Sequence, residues 1–148
     1  MDKIYKATEF KTILVPVIGT EADDEAIRLA CRLARKDKGK IWAVYVIAIK
    51  RTLPLDAEIK PEIEKAEEIL DHFESVAEEE EGEIETILLQ AREAGSAIVD
   101  EAIEHEIDLI LMGIEYKRHF GQFSLGSVVP YVLKNAHCRV ILYHQYTA

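Results

Sequence analysis

The sequence predicts an α/β domain built on a five-stranded, all-parallel sheet in the order 3-2-1-4-5, with two helices on each face. Three observations carry this. Apolar runs of strand length alternate five times with segments of helical period, the signature of successive βαβ units. The runs Thr12 to Ile18 and Ile41 to Ile49 are almost unbroken in apolar residues, as expected of parallel strands covered on both faces. A length of 148 residues, 49% hydrophobic and 31% charged, suits one domain over 1–148 with its core in 10–145. Right-handed crossovers leave few other arrangements of such units.

The first strand, Thr12 to Ile18, ends at Gly19, and Pro16 marks its fraying carboxyl end, since proline donates nothing to a ladder. Thr20 with Asp23 forms a capping box for a helix carrying Ala22, Ala26, Leu29, Ala30 and Leu33 at helical spacing. Lys36, Lys38 and Gly39 stop that helix. Ile41 to Ile49 is a central strand rich in β-branched and aromatic residues, and Lys50 to Glu58 is a loop. Ile59, Ile63, Ala66, Ile69, Leu70, Phe73 and Val76 form one stripe on a long helix whose Glu78 to Glu81 run reads as a solvated end. Glu83 to Gln90 mixes apolar and polar positions and suits an edge strand. Gly95 and Ser96 open a third helix with Ile98, Val99, Ala102 and Ile103 inward. Asp108 to Gly113 is the fourth strand, followed by a loop from Ile114 to Leu125. A last helix begins near Ser127 with Pro130 in its first turn, and Arg139 to Gln145 is the fifth strand.

Charge and composition exclude several function classes. Lys and Arg number 18 against 28 Asp and Glu, a formal charge of −10 that repels nucleic-acid phosphates and anionic lipid. The longest apolar run has nine residues, while a spanning helix needs roughly 17 to 25, and Met1 to Phe10 lack a signal-peptide core. The expected location is the cytoplasm. Cys31 and Cys138 form no CxxC pair, so both are expected as reduced, half-buried thiols.

Catalytic readings fail on spacing. Gly121 to Gly126 has one residue too many for a nucleophile elbow, and no P-loop or dinucleotide glycine fingerprint is present. His72, His105, His119, His137 and His144 make no helical metal pair, and no metal is expected; His72 and His105 read as helix-surface residues. Cys138 beside His137 faces the other way at a strand's start, and Trp42 and Tyr45 read as sheet-packing aromatics. No catalytic residue is assigned, and an enzyme is the least favoured class.

The informative stretch runs from Met112 to Ser127: glycine ends a strand, a loop follows, and Gly126-Ser127 opens a helix. Glycine lets backbone approach a ligand closely, and a helix amino end presents N–H groups to an anion. In the order 3-2-1-4-5 the first and fourth strands are neighbours whose helices lie on opposite faces, and open α/β sheets bind ligands at the carboxyl end of such a pair. Gly19, Gly113 and Gly126 would line that crevice. The same glycines also serve as plain turn and cap residues, and the residues alone leave both readings open.

With Ile13-Leu14-Val15-Pro16-Val17 and Gly19-Thr20 at one end, and Gly126 to Leu133 with Cys138-Arg139-Val140 at the other, the chain resembles a universal stress protein domain over Phe10 to Gln145. The resemblance implies the adenine-nucleotide alpha-hydrolase-like fold and an ATP or AMP site. The family's nucleotide-binding branch carries G-x2-G-x9-G-[ST]; here Gly113, Tyr116 and Gly126-Ser127 keep that spacing and lose the second glycine. Ile18 stands where binding members usually have aspartate, and Val129 where a hydroxyl often helps hold phosphate. The implied site is therefore degenerate. It comprises Pro16, Val17, Ile18, Val46, Met112, Gly113, Tyr116, Gly126, Ser127 and Val128, with the base near Val17, Ile18 and Val46 and the phosphates on the amino end at Gly126 to Val128. Tyr116 is expected to fill the phosphate cleft; Lys117, Arg118 and His119 favour phosphate there and Glu115 opposes it. Leu53-Pro54-Leu55-Asp56 and Gln90-Ala91-Arg92 resemble stress-protein domains found behind amino-acid permeases, which implies a protein partner such as a membrane transporter.

Two functions follow from these features. One is a nucleotide-responsive stress protein; the other is a dimeric regulatory module without nucleotide. The dimer expectation rests on Val140, Ile141, Leu142 and Tyr143, an edge strand without lysine, proline or acidic gatekeepers, which is expected to meet its two-fold copy in a homodimer.

Overall fold

The computed structural model describes residues 9–116 and 127–146. Five strands and four helices alternate: β1 (Thr12–Pro16), α1 (Glu21–Arg35), β2 (Lys40–Ala48), α2 (Lys60–Glu79), β3 (Ile84–Ala91), α3 (Ala94–Glu104), β4 (Leu109–Tyr116), α4 (Val128–Asn135) and β5 (Arg139–Tyr146). All pairings are parallel and the order is β3-β2-β1-β4-β5, as the pattern of apolar runs predicts. β3 pairs with β2 along its whole length, from Ile41↔Ile84 to Ala48↔Ala91.

Alternation along β1 divides the core into two layers. Ile13, Val15 and Val17 pack with Ile27, Phe73 and Leu111 beneath α1 and α2. Leu14 packs on the other face with Val44, Ile98, Ile110 and Val132 beneath α3 and α4. No helix among the described residues is long and apolar enough to cross a membrane.

Four local expectations change. Ile103 is 48% exposed, because Ile98, Val99 and Ala102 already fill the inward stripe of the eleven-residue α3. Ser96 does not cap that helix: Glu93 is the N-cap without a side-chain bond, and the Ser96 hydroxyl donates to the Glu93 carbonyl at 3.2 Å. The Glu78–Glu81 run is not merely solvated. Glu79 meets Arg28 at 2.7 Å, Glu80 meets Arg28 and Arg32 at 3.2 Å, and Arg35 donates to the Glu80 carbonyl at 2.6 Å. Arg32 and Arg28 hold the Glu80 carboxyl below its ordinary value. Finally, β4 continues through Ile114, Glu115 and Tyr116, which pair with His144, Gln145 and Tyr146 of β5, so the expected loop begins later.

α1, α2 and α3 end in the same way. Lys38, Glu81 and Glu106 take left-handed φ values of 52°, 57° and 52°. The N–H groups of Gly39, Gly82 and Ile107 then reach five residues back to the carbonyls of Ala34, Ala77 and Ala102, each at 2.8 Å, while Lys38, Glu81 and Glu106 bond three residues back. These are Schellman motifs with the left-handed position held by a charged residue rather than glycine. That conformation costs a non-glycine residue roughly 1–2 kcal/mol, and glycine gives back about 0.5–1 kcal/mol in unfolded-chain entropy. Lys38→Gly should therefore raise unfolding free energy by up to about 1 kcal/mol in urea titration. A lowered midpoint would contradict the assigned helix end.

The turn from β1 into α1 is organised by Asp23. Its Oδ2 accepts the N–H groups of Ile18, Gly19 and Thr20 at 2.8, 2.9 and 3.1 Å, while the Asp23 N–H donates to Thr20 Oγ1 at 3.2 Å, completing the capping box. Gly19 sits at φ 103°, which side chains rarely adopt. Burial pushes the Asp23 carboxyl above its ordinary 3.8, and the three backbone N–H bonds oppose that push. Asp23→Ala should cost at least about 2 kcal/mol of stability, since three donors lose their acceptor. Asp23→Asn keeps an acceptor oxygen and should cost less. Because the folded value lies above the unfolded one, the native state holds its proton to higher pH. Wild type should therefore lose stability relative to Asp23→Asn as pH rises from 3.8 through the raised folded value, read by denaturant titration across pH. A relative gain over that window would refute the assigned direction.

Candidate functional site

β1 and β4 part early. They pair only at Ile13↔Leu109 and Leu14↔Ile110, whereas β1 stays with β2 to Pro16↔Val44 and β4 stays with β5 to Tyr116↔Tyr146. Pro16 has no N–H to offer, and Val17 resumes the β2 side by donating to the Val44 carbonyl at 2.9 Å. The first turn of α1 lies over the carboxyl half of β4, so close that a Cβ at Gly113 would collide with the Ala22 carbonyl. Between the parted strands opens a crevice of about 500 Å³, within the range of small-molecule sites.

Of the residues chosen from sequence, Pro16, Val17, Ile18, Val46, Met112, Gly113, Ser127 and Val128 line this crevice together. Ile18 lies past the end of β1 and stands 71% exposed at the rim. Tyr116 is the last residue of β4, but its side chain lies outside the described residues, as do Gly126 and Lys117, Arg118 and His119. Gly19 turns away from the crevice: the space beside its Cα belongs to Ile69 of α2. Sequence reasoning missed Thr20, Asp23, Val44, Ala94, Ile98 and Ile114 as wall residues. Val44 was open to inference, two residues before Val46 on one face of β2, and so was Ile98, one turn beyond Ala94.

The walls differ in chemistry. Val44, Val46, Ile98, Met112, Ile114, Val128 and Val129 give an apolar side beneath α3 and α4, and Thr20, Asp23 and Glu115 give a polar side toward α1. Glu115 accepts the N–H of Glu21, the first residue of α1, at 3.2 Å. The amino ends of α3 and α4 reach the wall at Ala94 and at Ser127–Val128, and neither has a side-chain cap. No Lys, Arg or His is among the described lining residues. The arrangement suits a flat apolar group with a polar tail.

Other candidates for chemistry are occupied structurally. Cys31 is buried rather than half-buried, and burial pushes its thiol up, which disfavours a reactive thiolate. Cys138 is half-buried as expected. His72 pairs with Asp24 across α1 and α2 at 2.8 Å, and half-buried His105 bonds Glu101 at 3.0 Å beside the Trp42 ring. Trp42 donates to Glu85 on the neighbouring strand at 3.1 Å, and Tyr45 is buried in the core. No group of three metal-ligating side chains occurs among the described residues.

The segments Leu53–Asp56 and Gln90–Arg92, noted separately in the sequence, meet in space. Gln90 Nε2 donates to the carbonyls of Leu55 and Ala57, each at 2.9 Å, and Arg92 donates to those of Lys50 and Leu53 at 2.5 and 2.8 Å. The β2–α2 loop is thereby fastened to the end of β3, with Leu53 and Leu55 left exposed.

Comparison with known proteins agrees with this architecture. The model of the universal stress protein family matches residues 9–144. A universal stress protein of Methanocaldococcus jannaschii is 32% identical over 139 residues, covering 90% of this chain and 81% of that protein. The universal stress protein of Archaeoglobus fulgidus, solved in complex with dAMP, superposes with a TM-score of 0.73 at 24% identity, over 90% of this chain and 97% of its own. An Arabidopsis thaliana family member with AMP bound gives a TM-score of 0.66 at 17% identity, over 91% and 92% of the two chains. With residues 9–144 matched by the family model and a curated member 32% identical over nearly the same span, the chain belongs to the universal stress protein family.

Proposed function

We propose that this chain is a cytoplasmic stress-response protein that holds an adenine nucleotide, AMP or ATP, in the crevice between β1 and β4 without turning it over. The observation that supports this most is the crevice itself, which gathers eight of the ten residues chosen from sequence at the carboxyl ends of β1 and β4. Structural neighbours of the same fold hold dAMP and AMP. In this reading the base lies against Val17, Ile18 and Val46, and the phosphates meet the N–H groups of Gly126, Ser127 and Val128. Binding is weak, because Tyr116 replaces the family's second glycine, while Ile18 and Val129 supply no polar contact.

Denaturing the purified protein and searching the supernatant by mass spectrometry should release little nucleotide. Calorimetry should show weak or no heat with AMP and ATP in wild type, and Tyr116→Gly should bind at least about tenfold more tightly, about 1.4 kcal/mol. Silence in both proteins would remove nucleotide binding.

A second reading is favoured by the exposed edge. β5 ends the sheet, and Val140, Ile141, Leu142 and Tyr143 remain only half-buried in it. In this reading the chain is a homodimer joined through β5, acting as a regulatory module with or without nucleotide. Light scattering behind size exclusion should give the mass of two chains at micromolar concentration, and the mass of one chain would refute the dimer.

A further inference from the structure

We propose that Glu115 selects among adenine nucleotides by charge, admitting adenosine and the monophosphate and disfavouring the triphosphate, a role that rests on the nucleotide reading above. Glu115 lies near the carboxyl end of β4, on the strand face that carries Leu109 and Leu111 into the core beneath α1. Its Oε1 accepts the N–H of Glu21 at the amino end of α1, where a helix favours an anion. The chain's own carboxylate thus takes the place a phosphate would seek at that helix.

Among the described residues the rest of the wall does not compensate; Lys117, Arg118 and His119, which follow in the sequence, lie outside them. Asp23 is a second acid there, 2% exposed, with Oδ2 already taking three backbone N–H groups. The described lining has no cationic side chain, and the chain as a whole carries −10. What attracts phosphate is the amino end of α4, where Ser127 makes no side-chain capping bond and the helix end is equivalent to roughly half a positive charge. A monophosphate brings about −2 at neutral pH and a triphosphate about twice that. One helix end offsets part of the first group, and among the described lining residues each further phosphate finds Glu115 and no cation.

The test is calorimetric titration of adenosine, AMP and ATP at low salt with EDTA. Wild type and Tyr116→Gly are each compared with and without Glu115→Gln, which keeps an oxygen for the Glu21 N–H. ATP should bind about tenfold more weakly than AMP wherever Glu115 is present. Glu115→Gln should strengthen ATP severalfold, AMP less, and adenosine not at all. With Glu115 in place, raising ionic strength toward about 0.5 M should narrow the gap between ATP and AMP. ATP binding as tightly as AMP, or an equal change for all three ligands on Glu115→Gln, overturns the charge selection and leaves nucleotide binding standing. Silence with every ligand in all four proteins removes both.

Discussion

The pairing between β1 and β4 stops after two residues, and the site depends on that break. A parallel pair held together to its carboxyl end would close the sheet there and leave no room between the strands. Two residues prevent this from opposite sides. Pro16 cannot donate to a ladder, and Gly113 lets the first turn of α1 come down onto β4. β4 instead continues with β5 for six more residues, so the outer half of the sheet stays ordered while the inner seam opens. The crevice follows from where hydrogen bonds end.

Holding the seam open requires a rigid turn at its lip, and Asp23 supplies it. One oxygen gathers the N–H groups of three successive residues that would otherwise lie unsatisfied between the end of β1 and the start of α1. The same carboxylate is buried, which makes its charge costly, so the turn is held by an acid under strain between desolvation and hydrogen bonding. Val17 and Ile18 are carried into and over the crevice by this turn. Moving Asp23 would move both.

Much of this was legible in the sequence because it depends on burial. Parallel strands covered on both faces must be apolar throughout, so Thr12 to Ile18 and Ile41 to Ile49 identified themselves, and the strand order followed from handedness. Thr20 and Asp23 were legible as a capping box, although the grip of Asp23 on Ile18 and Gly19 was not. What escaped depended on partners distant in sequence. Glu115 reads as loop until β5 pairs with it, and the acidic run at the end of α2 reads as solvated until Arg28, Arg32 and Arg35 of α1 meet it. Ile103 looked inward because its spacing fits a wide stripe, but three neighbours suffice to cover the sheet beneath so short a helix. In the crevice, the strand order pointed to the place and the family resemblance to residues of β1 and β4, while Ala94 entered with the position of α3.

The three helix amino ends at the crevice are not equivalent in the partners that the described residues give them. At α1 the first-turn donors are taken by Thr20 Oγ1, the Thr20 carbonyl and Glu115, so the end is closed by the chain itself. At α3 the N-cap is Glu93, whose side chain makes no capping bond, and at α4 it is Ser127, whose hydroxyl makes none either. Serine caps readily when its backbone is extended; here its φ of −97° and ψ of −28° are helical, which turns the hydroxyl away from the cap position. Helix donors without side-chain partners are otherwise met by water or by a ligand. A molecule that lies apolar against Val44, Val46 and Met112 and carries an acceptor to the start of α4 satisfies both walls at once, whereas a purely apolar one would shed the water from those donors and return nothing.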